Sequence, residues 1–343
     1  MRATSFAKYL MGSPARSAKI GQTPHSIIHR ENKATLRYFA PVNATQVPVF
    51  ICMPLINTWT IFDLLPGRSI VGALLAEGAP VYLLDWGRPG PEDKDVRAVE
   101  LIDGLLPRAM DRALRHATRE HAATELDAVG YCVGGTFLAA SLARHPHLAR
   151  RVAFVATPID FKASGRLAIW ADEATFPLDD VVDGFGNFPA ALMKSSFAWL
   201  RPTGQVAKFK GLWDRFEDED FKVLWAAMER WSSDNIDFPG ECYREYVRAC
   251  YFNNALMDGS WVLGNEATDL SKCTIPALVL AATGDHIVPP ASASALAQVW
   301  GGHVETQVIK GGHVGISIGK HLPKALVAWI ASGAESADMR AQA

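Results

Sequence analysis

The stretch "LDAVGYCVGGTFL", residues 126–138, decides the fold of this chain. Leu126 to Val129 reads as a strand. It climbs into Gly130-Tyr131-Cys132-Val133-Gly134, and Gly135 then opens a pattern of helical periodicity. The spacing is that of a strand–nucleophile–helix turn, G-x-S-x-G, with cysteine in the place of the serine. Gly130 and Gly134 leave room for a sharp bend whose central residue holds strained dihedrals. The Val133 N–H, at the start of the helix, then points where an oxyanion would form. A second donor is expected from the loop after an early strand, "MPLIN" (53–57), with the amide of Ile56 as the choice.

Working outward, strand-like apolar runs alternate with helical stretches, the rhythm of a mostly parallel sheet covered on both faces. "VPVFICM" (47–53) and "PVYLLDW" (80–86) read as strands, with the helical "RSIVGALLAEG" (68–78) between them. A long amphipathic stretch follows from about Val96 to His121, which Pro107 should kink or divide. After the helix of 135–145, "RVAFVATPID" (151–160) is the next strand. The rhythm then breaks. From Phe161 to about Leu270 the chain is aromatic and helical, with six of its ten tryptophans, and reads as an inserted cap or lid. Strands return with "PALVLAATGD" (276–285) and "VETQVIKGGH" (304–313), with a helix near 291–300 between them and a last helix near 321–332. The organisation expected is therefore an N-terminal arm (1–33), a core in two pieces (34–160 and 271–333), an inserted cap (161–270) and a fraying tail (334–343).

Composition narrows the classes of function. A formal charge of -2 provides no basic excess to displace counterions from nucleic-acid phosphates. The five cysteines make no C-x-x-C pair and leave an odd count, a reduced, cytoplasmic pattern. No apolar run is long enough for a membrane span. The first 30 residues are basic, with no acid before Glu31. They fit a surface or partner-docking arm better than a targeting peptide, because Pro14 and Pro24 interrupt any long amphipathic helix. "HSIIH" spaces His25 and His29 one helical turn apart but has no glutamate or third ligand, so neither metal nor cofactor is expected.

Three chemical residues fall at strand ends in the order nucleophile, acid, histidine. They are Cys132, Asp285 after "LVLAATG" and His313 within "KGGHVG". That is the chain order of α/β-hydrolases, whose partners lie on loops at the carboxyl ends of parallel strands. Each residue also has a plain structural reading. A cysteine after a strand is commonly a small buried hydrophobe, and an aspartate there commonly caps a turn. The ordered combination outweighs those readings. His286 follows the acid directly and His303 lies nearby, and neither has the flexible Gly-Gly approach of His313.

With these residues in hand, the chain resembles the polyhydroxyalkanoate synthases, and its length and segments resemble the short class III catalytic subunit. The resemblance runs from about residue 20 to residue 316 and rests on "RSIVGALLAEGAPVYLLDWGRP" (68–89), "GYCVGGT" (130–136), "TPIDF" (157–161), "MERW" (228–231), "DHIVPP" (285–290) and "GGHVG" (311–315). The "GYCVGG" box is closer to the form in the longer class I enzymes than to the "GICQGG" of class III, which leaves the need for an accessory subunit open. The resemblance implies an α/β-hydrolase fold, with Cys132 as acyl acceptor, His313 as base and Asp285 as its partner. It further implies 3-hydroxyacyl-coenzyme A as substrate, a polyester product, a homodimer with or without an accessory synthase subunit, and a cytoplasmic place at the surface of a polyester granule.

A thiol suits that chemistry. Exchange of one thioester for another is nearly balanced in energy, so the acyl group stays activated for transfer to an alcohol; an oxygen ester on serine would not be. Two other functions share the same residues. One is a cysteine-dependent hydrolase or acyl-coenzyme A thioesterase, and the other is a granule-associated scaffold without turnover.

Overall fold

In the computed structural model, which describes residues 2–341, eight strands form one sheet. They are β1 (Ser26–Glu31), β2 (Ala34–Phe39), β3 (Val49–Cys52), β4 (Val81–Asp85), β5 (Asp127–Tyr131), β6 (Arg151–Val155), β7 (Ala277–Ala282) and β8 (Val304–Ile309). Their spatial order is β1-β2-β4-β3-β5-β6-β7-β8. The first two contacts, β1 with β2 and β2 with β4, are antiparallel, and every later pairing in this sheet is parallel. Strands β3 and β5 are buried along their whole length. Their short continuous apolar runs reflect burial on both faces rather than the alternation of a half-exposed strand.

Because successive side chains leave opposite faces, each strand feeds two cores. Phe50, Tyr82, Leu84 and Ala128 join one, and Val49, Ile51, Leu83 and Val129 join the other. The first core is covered by α4 (Leu106–His121) and α5 (Val133–Arg144), the second by α3 (Ile70–Ala76) and the last helix. Helix α5 is buried from Val133 to Ala143, so it packs across the centre of the sheet rather than along its surface.

A buried ionic clamp closes the amino end of β5. Asp127 accepts from Arg150 Nε at 2.6 Å and from Arg151 Nη2 at 2.8 Å, and both arginines also donate to carbonyls of the last helix, at Gly333 and Ile330.

The segment between β6 and β7 carries α6 (Arg166–Trp170), α7 (Leu178–Phe185), α8 (Ala190–Leu200), α9 (Gly204–Asp214), α10 (Glu219–Ser232) and α11 (Gly240–Tyr246). It ends in a small hairpin of Trp261–Leu263 with Glu266–Thr268. The chain closes with α12 (Pro290–Ser294), α13 (Leu296–Val299), α14 (Gly315–Ile318) and α15 (His321–Ala341).

Three expectations need correction. The arm does not reach residue 33, because β1 lies inside that span and pairs with β2 at the edge of the sheet. "HSIIH" is therefore extended, with a bulge between Ile27 and His29, and its histidines are not one helical turn apart. His25 lies within hydrogen-bond distance of the Thr23 carbonyl and Arg37, and His29 pairs with Glu31. The stretch before the arm's strand forms α1 (Arg2–Met11), which docks on the insertion through Phe6 against Trp213 and Phe216 and through the Tyr9 hydroxyl donating to the Lys222 carbonyl. The tail does not fray at Gly333: α15 continues to Ala341, and residues 342 and 343 lie outside the described residues. Pro107 divides its helix by a local change of winding. A π-helical turn, Glu100–Leu105, precedes it, and the proline sits in the first turn of α4 where its missing N–H costs nothing.

Candidate active site

The bend after β5 is the tightest point of the chain. Cys132 has φ 53° and ψ −134°, a conformation that side chains rarely adopt. Glycines on both sides make it possible. A Cβ on Gly134 would stand 2.3 Å from the Met53 carbonyl oxygen, and one on Gly130 would stand 2.5 Å from Gly135 Cα. The cysteine is thereby held at the lip between β5 and α5, with 7% of its surface exposed.

The loops after β7 and β8 bring the acid and the histidine to it. His313 Nδ1 is 2.7 Å from Asp285 Oδ2, and His313 Nε2 is 3.2 Å from Cys132 Sγ. The other carboxylate oxygen, Oδ1, accepts from the amides of Ile287 and Val288, both at 2.8 Å. The aspartate therefore has a fixed orientation before it meets the ring. Asp285 and His313 are 6% and 7% exposed, so water competes little for their bond. Tyr131 stacks on the His313 ring and donates its hydroxyl to the His313 carbonyl at 3.3 Å.

Burial by itself would push the His313 pKa down. The electrostatic influence of Cys132 and Tyr131, with hydrogen bonds to Asp285 and Cys132, outweighs it and raises the His313 pKa well above the ordinary histidine range. The arrangement favours a positive ring beside the sulfur, the state of an activated thiol. Burial pushes the thiols of Cys52, Cys242, Cys250 and Cys273 up, the last to about 11. None of those four is paired with an imidazole.

The other expected positions fall beside this trio. Val133 is the first residue of α5, where an amide has no intrahelical acceptor. Ile56 lies across from it, its carbonyl accepting from the Ile236 amide. Both border the space over Cys132. His286 is half-buried, and burial pushes its pKa down. His303 serves β7 through its backbone carbonyl, which accepts from the Ala277 amide. Among the described residues, no cluster of three or more His, Cys, Asp or Glu side chains has the spacing to hold a metal ion.

Two cavities meet at the cysteine, and the sequence pointed to neither. One, of about 160 Å³, is apolar, walled by residues such as Phe188, Met193, Phe238 and Tyr246. The other, of about 380 Å³, is the more polar of the two: Asn57, Lys194, Gln205, Lys208, Glu229 and Asn235 line it together with His313, beside apolar residues such as Trp231 and Val314. Ile56, Cys132, Phe197 and Ile287 border both. Their walls come mainly from the insertion, whose side chains no local motif assigns. Tyr131 escaped notice too, although its place immediately before the cysteine was a signal.

The comparisons with known proteins agree with this architecture. A family model described as alpha/beta hydrolase fold matches residues 65–319. The poly(3-hydroxyalkanoate) polymerase subunit PhaC of Allochromatium vinosum is 33% identical, over 92% of this chain and 90% of its own. The protein of the same name from Synechocystis is 30% identical, over 94% and 88%. That from Haloferax mediterranei is 32% identical over 87% of this chain, which spans 61% of the longer relative. Among solved structures, a bromoperoxidase from Bacillus anthracis superposes with a TM-score of 0.53 at 18% identity, covering 89% of this chain and 98% of its own. Mouse alpha/beta hydrolase domain-containing protein 10 gives 0.52 at 14%, covering 91% and 99%. These two likenesses concern the fold alone.

Proposed function

This chain belongs to the poly(3-hydroxyalkanoate) polymerase family, within the alpha/beta-hydrolase fold, and we propose that it builds polyester from 3-hydroxyacyl-coenzyme A through an acyl group held on Cys132. Short-chain substrates, 3-hydroxybutyryl-coenzyme A first, are the expected monomers. The observation that carries this reading is the contact of His313 with both Cys132 and Asp285 in a buried site.

The Cys132 sulfur attacks the thioester carbonyl, and its new S–C bond replaces the bond to coenzyme A. The departing sulfur takes the proton of the His313 imidazolium, leaving a neutral ring. The 3-hydroxyl of a second substrate then gives its proton to that ring and attacks the acyl-cysteine. An ester bond forms, the Cys132 sulfur leaves as thiolate, and the thiolate–imidazolium pair is restored. Asp285 fixes the tautomer of His313 and stabilises its positive form. Backbone donors at Val133 and Ile56 steady the oxyanion in each half. The residue 161–270 insertion acts as a cap that keeps water from the acyl-cysteine, since water would end the chain as a free acid.

No cofactor enters the scheme; acyl-coenzyme A is substrate. A homodimer, an accessory subunit and a place at a polyester granule belong to the same reading. No helix among the described residues is long and apolar enough to cross a membrane. The test is incubation with 3-hydroxybutyryl-coenzyme A. Thiol release with insoluble polyester is the expected result. Release with soluble hydroxy acid would make the protein a thioesterase, and no release, even with a partner subunit present, would make it a scaffold.

A further inference from the structure

The two cavities at Cys132 divide one substrate between them. His313 borders only the polar cavity, whereas the apolar one is walled by aromatic and aliphatic side chains. In the exchange proposed above, the sulfur that departs must collect its proton from His313. The limb carrying that sulfur therefore lies on the His313 side, and the acyl chain points the other way, into the apolar cavity. We infer that the polar cavity is the coenzyme A site and that Lys194 holds the phosphate-bearing end of that ligand.

This deepens the polymerase reading and rests on it for the identity of the acyl carrier. The side chains that line the cavity match the ligand in kind. Asn57, Asn235 and Gln205 offer amide groups, and Ser232 a hydroxyl, to an arm that itself contains two amides and a hydroxyl. Lys208 is spanned by both carboxylate oxygens of Glu229 at 3.0 Å and serves as a fixed wall. Lys194, exposed on α8, has no carboxylate paired with it among the described residues and keeps its charge for a phosphate.

A second basic cleft is the rival, and its position disqualifies it. Its Lys33, Arg37 and Arg88 are already paired with Glu92, Asp85 and Asp234, whereas Lys19 and Arg230 also line it without a paired carboxylate among the described residues. It borders neither Cys132 nor His313. A ribbon closed by the Asn57–Asn235 side-chain hydrogen bond at 3.2 Å and by the Ile236 amide donating to the Ile56 carbonyl stands between that cleft and the site.

The experiment compares two thioesters of 3-hydroxybutyrate, one on coenzyme A and one on N-acetylcysteamine, which has no phosphate. It uses the full chain, wild type, Lys194→Glu and Lys194→Arg, with calorimetric titration of free coenzyme A alongside. Lys194→Glu should lower the ratio of kcat/KM for the coenzyme A thioester to that for the short thioester by about tenfold, with a matching loss of coenzyme A affinity. Lys194→Arg should restore both. An unchanged ratio and affinity overturn the inference. So does an equal loss on the two thioesters, which would mark Lys194 as a support of the cap. If the wild type turns over neither thioester but binds coenzyme A in a manner that depends on Lys194, the polymerase reading fails and the coenzyme A site stands. If it neither turns over nor binds, both fail.

Discussion

His313 Nε2 lies 3.2 Å from Cys132 Sγ, at a bend where the cysteine has φ 53°. The thiol is thus held against the imidazole by backbone geometry rather than by a rotamer choice. Replacing the sulfur with oxygen keeps that geometry and changes only the chemistry. Cys132→Ser should retain the melting temperature of the parent and lose coenzyme A release by about a thousandfold or more, because its oxygen ester is a poor donor to the next hydroxyl. Thiol release followed with a chromogenic disulfide, with mass spectrometry of the protein, reads both effects. A serine variant with near-parental polymer yield would remove the argument for a thioester intermediate.

The same contact sets the titration of the ring. Burial favours the neutral imidazole, and the Cys132 sulfur, Tyr131 and the hydrogen bond with Asp285 favour the positive one and prevail. Taking away the sulfur therefore takes away part of what raises the pKa. The His313 midpoint should lie above about 6.5, the ordinary value, in the wild type and should move down in Cys132→Ala. NMR of the imidazole resonances against pH measures it. Acylation neutralises the sulfur in the same way, which would prepare the ring to act as the base of the second half-reaction. A midpoint unmoved by Cys132→Ala would show that the two groups do not share charge.

Legibility in the sequence followed the punctuation of the chain. Cys132, Asp285 and His313 each follow a strand with a glycine within two residues, so strand order placed them together at the carboxyl ends of the parallel strands. The hairpin of β1 and β2 was missed because its turn uses Asn32, at φ 51°, and no glycine, while the two histidines of "HSIIH" imitate helical spacing. The tail is expected to fray after Gly333. The constraint on that glycine is tertiary, since a Cβ there would stand 2.1 Å from Arg151 Nη2, and the helix runs through it. The cavities were illegible for the same reason. Lys194, Phe188 and Phe238 come to line the cavities beside Cys132 only through the packing of the insertion, which leaves no short-range pattern.

Asp285 has two separable duties, and two substitutions separate them. Oδ2 faces the His313 ring, whereas Oδ1 holds the turn through the amides of Ile287 and Val288. Asp285→Asn keeps a carbonyl oxygen for the turn and loses the charge that selects the tautomer. It should melt within a few degrees of the parent and lose about 10³–10⁴ in kcat. Asp285→Ala should lose activity and also about 1–3 kcal/mol of stability, since the two buried amides lose their acceptor. Paired measurement of melting and turnover distinguishes them. Equal stability in the two variants would mean that the turn does not depend on Oδ1.

The clamp at the opposite end of β5 supplies a test of stability without chemistry. Asp127 is fully buried, and its two oxygens meet Arg150 and Arg151, which in turn hold the carbonyls of Gly333 and Ile330. Asp127→Ala would leave two guanidinium groups, each mostly buried, without their counter-charge. That is the circumstance in which removing one partner of an ion pair is expensive, about 3–5 kcal/mol. The urea midpoint should fall accordingly, while activity per folded molecule persists, because the sheet separates this clamp from the Cys132 bend. A loss under about 1 kcal/mol, the scale of an exposed pair, would show that α15 lifts away and lets water reach the arginines.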